Sequence, residues 1–137
     1  MDEAFSYQVR LNTLVQALDG FDKSLKIDLS EKNDIEADAI KNGQALKFGY
    51  TMELLWKVIK TFIYEVHGIE CNSPKSCIKS FFQNSSLSED DYRKLIEMVN
   101  QRNELAHIYE ERAFEKIWKD LPSNLETIRK CLREFDI

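Results

Sequence analysis

The sequence contains few residues that interrupt helices. Only four glycines and two prolines occur among its 137 residues, and both residue types are unfavourable inside a helix. No segment alternates apolar and polar residues for long enough to predict a strand. These absences favour long helices, and the length of the chain fits one domain, residues 1–137, with a single hydrophobic core.

Metal-binding and disulfide patterns are also lacking. The three cysteines, Cys71, Cys77 and Cys131, are odd in number and form no Cys-x-x-Cys pair, so neither a disulfide framework nor a zinc site is indicated. The two histidines, His67 and His107, lack the close spacing of a two-histidine metal site on one helix. We therefore expect three reduced cysteines, no metal site and no cofactor.

Long apolar runs and an excess of positive charge are absent as well. No uncharged apolar run approaches the roughly 18 residues that a membrane span requires, and the sequence starts without the basic and apolar regions of a signal peptide. Acidic residues outnumber basic ones by 24 to 19, for a net charge of −5, which argues against a broad nucleic-acid-binding face. The sequence thus predicts a cytoplasmic protein with no membrane partner, in which any contact with RNA is local.

What the sequence does contain is apolar residues at helical spacing. They recur at steps of three and four, which predicts amphipathic helices with one buried stripe each. The stripe of the second helix runs from Ala45 to Val66. That of the fourth helix continues past Val99 to Asn103 and Ala106, so the pattern places a polar residue inward.

Capping residues mark the predicted helix boundaries. Asn33, with Glu36 three residues later, predicts a capping box at the start of the second helix, and Gly68 is a suitable residue to end it. Ser73, followed by a proline, predicts a short third helix. Ser88 is placed to cap the fourth.

The first and last helices are predicted from their stripes alone. The first covers about residues 4–27, and the last stripe, from Phe114 to Phe135, continues in register across Pro122, which predicts one kinked helix. Four long helices and one short helix joined by short loops predict an all-α fold, an antiparallel up-down four-helix bundle with one short extra helix.

One polar stretch, RNELAHIY at residues 102–109, brings Arg102, Asn103, His107 and Tyr109 to the end of the fourth helix. One interpretation is purely structural, because buried polar groups are commonly hydrogen-bonded parts of a core. Asn103 is then a core amide, His107 caps a helix end and Arg102 pairs with a carboxylate. Carboxylates are abundant in the chain, and examples near this stretch are Glu104, Glu110 and Glu111.

The other interpretation is a site that cleaves phosphodiester bonds. A neutral His107 would take the proton from a ribose 2′-hydroxyl, Arg102 would hold the phosphate, and Asn103 would orient either group. Acid–base catalysis lowers an activation free energy by about 3–5 kcal/mol, and one charge-stabilising contact lowers it by about 3–4 kcal/mol. Together they barely reach the ~8 kcal/mol reduction at the low end for enzymes. This interpretation therefore requires a dimer, in which two copies of the motif share one cleft.

A second group of side chains lies in the second helix. Lys57 and Lys60 share a face three residues apart and place two positive charges near Trp56. Such an arrangement is usually a solvated edge of a bundle. It is also a candidate contact for a partner or a nucleotide.

At these residues the chain resembles a known family. RNELAHIY resembles the Arg-x4-His-x-Tyr motif of the HEPN family. The stretch from Leu46 to Phe82 is similar to the branch named nucleotidyltransferase substrate-binding proteins, which share an aromatic residue, a Glu-x-x-Trp-Lys core and a glycine followed by Ser-Pro-Lys. The matching residues here are Phe48, Glu53, Trp56, Lys57, Gly68, Ser73, Pro74 and Lys75.

The resemblance implies a helical bundle that dimerises through the helix carrying residues 88–109, with a minimal nucleotidyltransferase as partner. Many HEPN proteins are metal-independent endoribonuclease toxins, in which the matching residues here would be Arg102 and His107, and the nucleotidyltransferase acts as antitoxin. The family also implies adenylylation of Tyr109 by that partner. The alternative follows the name of the branch, in which the bundle is a non-catalytic subunit that binds a substrate or a nucleotide for the enzyme.

Overall fold

The computed structural model describes residues 6–107 and 110–135. These residues form six helices and no strand, which confirms the predicted all-α class. None of these helices is long and apolar enough to cross a bilayer. The helices are α1 (Tyr7–Leu25), α2 (Asp34–His67), α3 (Pro74–Gln83), α4 (Glu89–Leu105), α5 (Glu111–Trp118) and α6 (Leu121–Glu134).

The predicted capping residues lie where the helices begin and end. The side chain of Asn33 accepts a hydrogen bond from the backbone N–H of Glu36, whose own side chain accepts one from the backbone N–H of Asn33, so the capping box is confirmed. The hydroxyls of Ser73 and Ser88 likewise accept backbone N–H groups in the first turns of α3 and α4. Gly68 follows α2 with a φ of 67°, a left-handed conformation that glycine adopts without steric cost.

The four long helices form a closed ring around one core. α1 packs against α2, α2 against α4, α4 against α6 and α6 against α1, while α3 covers α2 and α4. The first two helices run antiparallel, because the start of α1 meets the end of α2 through Tyr7 and Glu65, and its end meets the start of α2 through Ser24 and Gln44. The largest buried side chains in the core include Phe21, Phe48, Phe62, Phe81, Leu14, Leu55, Leu95 and Met98.

Polar contacts fix the antiparallel packing of α4 against α6. Near the start of α4, Asp91 pairs with Lys130 at 3.2 Å. Near its end, the buried amide of Gln101 donates to Asp120 at 2.8 Å and accepts from Asn124 at 2.9 Å. Because both the Nε2 and the Oε1 atoms of Gln101 have hydrogen-bonding partners, a polar residue on the inner face of α4 is compatible with a stable core.

That inner face differs from the predicted one. Asn103 and Ala106 are exposed, whereas Leu95, Met98 and Gln101 are buried. The polar residue that points inward is therefore Gln101, and the prediction of an inward Asn103 is wrong. The physical reason is that α6 supplies hydrogen-bonding partners to Gln101, which no pattern within α4 reveals.

Two smaller predictions also need correction. The last helix is two helices, α5 and α6, because Pro122 lies in the first turn of α6 and its ring is incompatible with an uninterrupted preceding helix. Val66, at the end of the second stripe, is exposed, since it lies in the last turn of α2. The first helix begins at Tyr7 and ends at Leu25, within the predicted range.

The cysteines differ from the prediction of three free thiols. Cys71 and Cys77 form a disulfide, because the connection from α2 folds back over the first turn of α3 and brings their Cα atoms to 5.2 Å. Cys131 is free, and burial raises the pKa of its thiol. The remaining thiol is therefore a core residue rather than a reactive group.

Candidate functional site

The carboxylate of Glu53 joins the two polar groups singled out in the sequence. On α2, it accepts a hydrogen bond from the indole N–H of Trp56 at 3.1 Å and pairs with the ammonium of Lys57 at 3.2 Å. From α4, the Nη2 atom of Arg102 lies 3.0 Å from its Oε2 atom. Arg102 therefore has a carboxylate partner, as the structural interpretation expected, but that partner is on α2. It is none of the three nearby glutamates.

The environment of Glu53 keeps it ionised. Partial burial acts to raise the pKa of the carboxyl, but the hydrogen bonds from Trp56 and Lys57 and the positive charge of Arg102 outweigh it, so the pKa lies below its ordinary value. The side chains of Glu53 and Arg102 are 29% and 41% exposed. The pair thus lies at the edge of the core, where a ligand from solvent can still reach the guanidinium.

Arg102 also borders an open cavity between α2, α4 and α5. The cavity has a volume of about 480 Å³, and its lining includes Leu46, Tyr50 and Phe114. Leu46 and Tyr50 are 76% and 57% exposed. Gly49 lies close under the stem of Arg102, because a Cβ atom added there would be 3.8 Å from the Cγ atom of the arginine.

Asn103 and His107 lie at the same end of α4 as Arg102 but are exposed to solvent. Asn103 borders a small gap shared with Trp56 and Arg102. His107 follows the helix end, where its backbone N–H donates to the carbonyl oxygen of Glu104 at 2.9 Å. The end of α4 therefore presents a guanidinium, an amide and an imidazole, while Tyr109 lies outside the described residues.

Trp56, Lys57 and Lys60, the other predicted contact residues, line a separate cavity of about 650 Å³ between α1 and α2. Sequence reasoning missed Arg10, which α1 contributes to this cavity. It also assigned no role to Glu53. The spacing of Glu53 and Lys57, four residues apart, is a recognised signal for a helical ion pair, whereas contacts between helices leave no such signal.

Metal ions in proteins are commonly held by groups of His, Cys, Asp and Glu side chains. Within residues 6–107 and 110–135, no group of three or more His, Cys, Asp or Glu side chains is placed to hold a metal ion.

The chain matches a known protein family over most of its length. Residues 9–136 match the family model described as "Nucleotidyltransferase substrate binding protein like". No curated protein is a significant match to the sequence.

Several solved structures have a similar fold. A protein from Thermus thermophilus is 22% identical, with a TM-score of 0.78 over 89% of this chain and 98% of that one. A toxin–antitoxin structure with AMP-PNP is 14% identical, with a TM-score of 0.71 over 98% of this chain and 99% of that chain. A tri-AMPylated HEPN toxin from Shewanella oneidensis, in complex with its MNT antitoxin, is also 14% identical, with a TM-score of 0.71 over 99% of this chain and 98% of that one.

The charge of Glu53 should stabilise the fold at neutral pH. We expect Glu53→Gln to lower the free energy of unfolding at pH 7 by about 1 kcal/mol, because it removes the charge that Lys57 and Arg102 share. The pKa of Glu53 is below its unfolded value of 4.5, so this stabilisation is complete above about pH 4.5 and is lost as the pH falls through the folded-state pKa.

Urea unfolding of both proteins at several pH values measures this difference. Glu97→Gln, a change at an exposed position on α4, is the matched control and should alter the unfolding free energy little. A difference between wild type and Glu53→Gln that is absent at pH 7, or that persists unchanged at low pH, would contradict the assignment.

Proposed function

This chain belongs to the nucleotidyltransferase substrate binding protein like family, and we propose that it is the HEPN subunit of a pair whose other member is a minimal nucleotidyltransferase. In this pair it acts as a metal-independent endoribonuclease. The observation that carries the proposal is that Arg102 is held by Glu53 at the end of α4, where Asn103 and His107 are exposed to solvent.

The proposed reaction is an internal transfer at phosphorus. His107 removes the proton from a ribose 2′-hydroxyl, whose oxygen then attacks the adjacent phosphorus. Arg102 binds the phosphate oxygens and stabilises the negative charge that develops on them. The bond from phosphorus to the 5′-oxygen breaks, and this oxygen takes a proton from a second histidine, leaving a 2′,3′-cyclic phosphate and a free 5′-hydroxyl.

The second histidine requires a dimer. We propose that two copies of the chain meet through the segment 88–109, so that one His107 acts as base and the other as acid. The exposed apolar side chains of Leu46 and Tyr50 beside Arg102 support an interface at this end of the bundle, because exposed apolar clusters commonly mark contact surfaces.

Cleavage of RNA in the presence of EDTA tests the proposed activity. We expect the wild-type dimer to cleave RNA and His107→Ala to be slower by roughly 10²–10⁴-fold, because it lacks the acid–base group. His67→Ala is the matched control, since His67 is the only other histidine and is exposed at the end of α2.

Cleavage that persists in His107→Ala would contradict the catalytic assignment. Size-exclusion chromatography with light scattering on the same samples tests the dimer, and an active monomer would contradict the composite site.

We further propose that the partner enzyme controls the activity by adenylylating Tyr109. The HEPN toxin from Shewanella oneidensis, which has a similar fold, is tri-AMPylated in its complex with an MNT antitoxin, and this modification supports the proposal. A phosphodiester-linked adenosine on Tyr109 would bring a negative charge and bulk near Arg102, where the phosphate of RNA is proposed to bind.

Co-expression with the proposed partner nucleotidyltransferase tests this control. We expect intact-mass spectrometry to detect one or more added adenylyl groups, the modified protein to lose RNA cleavage, and Tyr109→Phe to remain unmodified and active. Tyr50→Phe, a change at a tyrosine on α2 that is exposed to solvent, should be modified like the wild type. Adenylylation of Tyr109→Phe to the same extent would contradict the assignment.

A second candidate is a non-catalytic subunit that presents a substrate or a nucleotide to the partner enzyme. The family description favours it. Absence of cleavage by folded, unmodified wild-type protein, together with stable co-purification with the nucleotidyltransferase, would select this function over the ribonuclease.

A further inference from the structure

We propose that the cavity between α1 and α2 is a second ligand site, which binds a nucleoside phosphate. It is lined by Arg10, Trp56, Lys57, Lys60, Thr61, Tyr64 and Glu65. Neither Arg102 nor His107 belongs to it, so the proposal does not rest on the ribonuclease activity.

The size of the cavity fits a small ligand. Its volume of about 650 Å³ lies within the roughly 300–1,000 Å³ that is usual for small-molecule sites. Four of its lining residues, Lys57, Lys60, Thr61 and Tyr64, lie along one side of α2, and Arg10 faces them from α1. The walls are therefore two packed helices, which hold the lining side chains on a rigid frame.

The charge of the lining favours an anion. Three of its side chains are cationic, although the whole chain has a net charge of −5. The carboxylate in the lining, that of Glu65, already accepts the backbone N–H of Tyr7 at 2.8 Å. Lys57 is paired with Glu53, which leaves Arg10 and Lys60 as the cations most available to a ligand.

Hydrogen-bonding capacity remains at both of these cations. Within residues 6–107 and 110–135, no carboxylate oxygen lies within 4.0 Å of the charged nitrogens of Arg10 or Lys60. The Nε atom of Arg10 is shielded from solvent and has no acceptor in that part of the chain. The ammonium of Lys60, which is exposed to solvent, can therefore bind a phosphate oxygen without first giving up a carboxylate partner.

The aromatic residues of the lining favour a ligand with a ring. Trp56 is half-buried, and Tyr64 is 54% exposed. The ammonium of Lys60 lies 6.0 Å from the centre of the Trp56 ring, so a positive charge and an aromatic surface are adjacent. Stacking of a base on aromatic side chains beside cations that contact the phosphate is one recurring way in which proteins bind nucleotides.

Titration calorimetry with AMP tests the proposal directly. We expect the full-length wild-type protein to bind AMP more tightly than adenosine or inorganic phosphate, because only AMP offers both the base and the charge. Lys60→Gln should weaken AMP binding by about tenfold through loss of a charged hydrogen bond. Tyr64→Ala should weaken it through loss of stacking, and both positions are exposed enough for the fold to tolerate the change.

Lys79→Gln is the matched control, because Lys79 is an exposed lysine on α3 and should leave AMP binding unchanged. No saturable AMP binding by wild type, equal affinity for phosphate alone, or equal weakening in the Lys79→Gln control would overturn the proposal. A short oligoadenylate that competes with AMP and binds more tightly would assign RNA as the source of the nucleotide, whereas preference for AMP would assign a free nucleotide. His107→Ala should bind AMP like the wild type, which separates this site from the proposed ribonuclease.

Discussion

The carboxylate of Glu53 is the group on which the candidate site depends. Glu53 is on α2, and its carboxylate pairs with the guanidinium of Arg102 on α4. On α2 itself, the carboxylate accepts a hydrogen bond from the indole of Trp56 and pairs with the ammonium of Lys57. Without it, two cations would face each other at the edge of the core. Its low pKa reflects these contacts, and its negative charge fixes where α4 presents Arg102.

This arrangement has a direct consequence for ligand binding. A phosphate that reaches Arg102 must share the guanidinium with Glu53 or displace it, because both are oxygen anions that use the same donors. Trp56 donates to Glu53 and also lines the cavity between α1 and α2. The two proposed sites are thus connected through adjacent side chains, although each is lined by residues that the other lacks.

Much of the fold could be predicted from the sequence because the helix boundaries depend on residues that are close together in the chain. Capping residues such as Asn33 and Ser73 and the left-handed Gly68 act within a few residues of their own position.

Contacts between helices have no such local signature. Gln101 replaces Asn103 on the inner face because α6 supplies its partners, and Arg102 selects Glu53 rather than a nearer glutamate. The Cys71–Cys77 disulfide likewise depends on how a loop folds back. The positions of Arg102 and His107 at one end of α4 follow from spacing, whereas the exposure of Asn103 does not.

A double-mutant cycle between Glu53 and Arg102 tests most directly whether this ion pair organises the site. The free energies of unfolding would be measured at pH 7 for the wild type, Glu53→Gln, Arg102→Gln and the protein with both changes. We expect a coupling free energy of about 0.5–1 kcal/mol, as for a partly exposed ion pair. Strictly additive effects of the two substitutions would contradict the role assigned to Glu53.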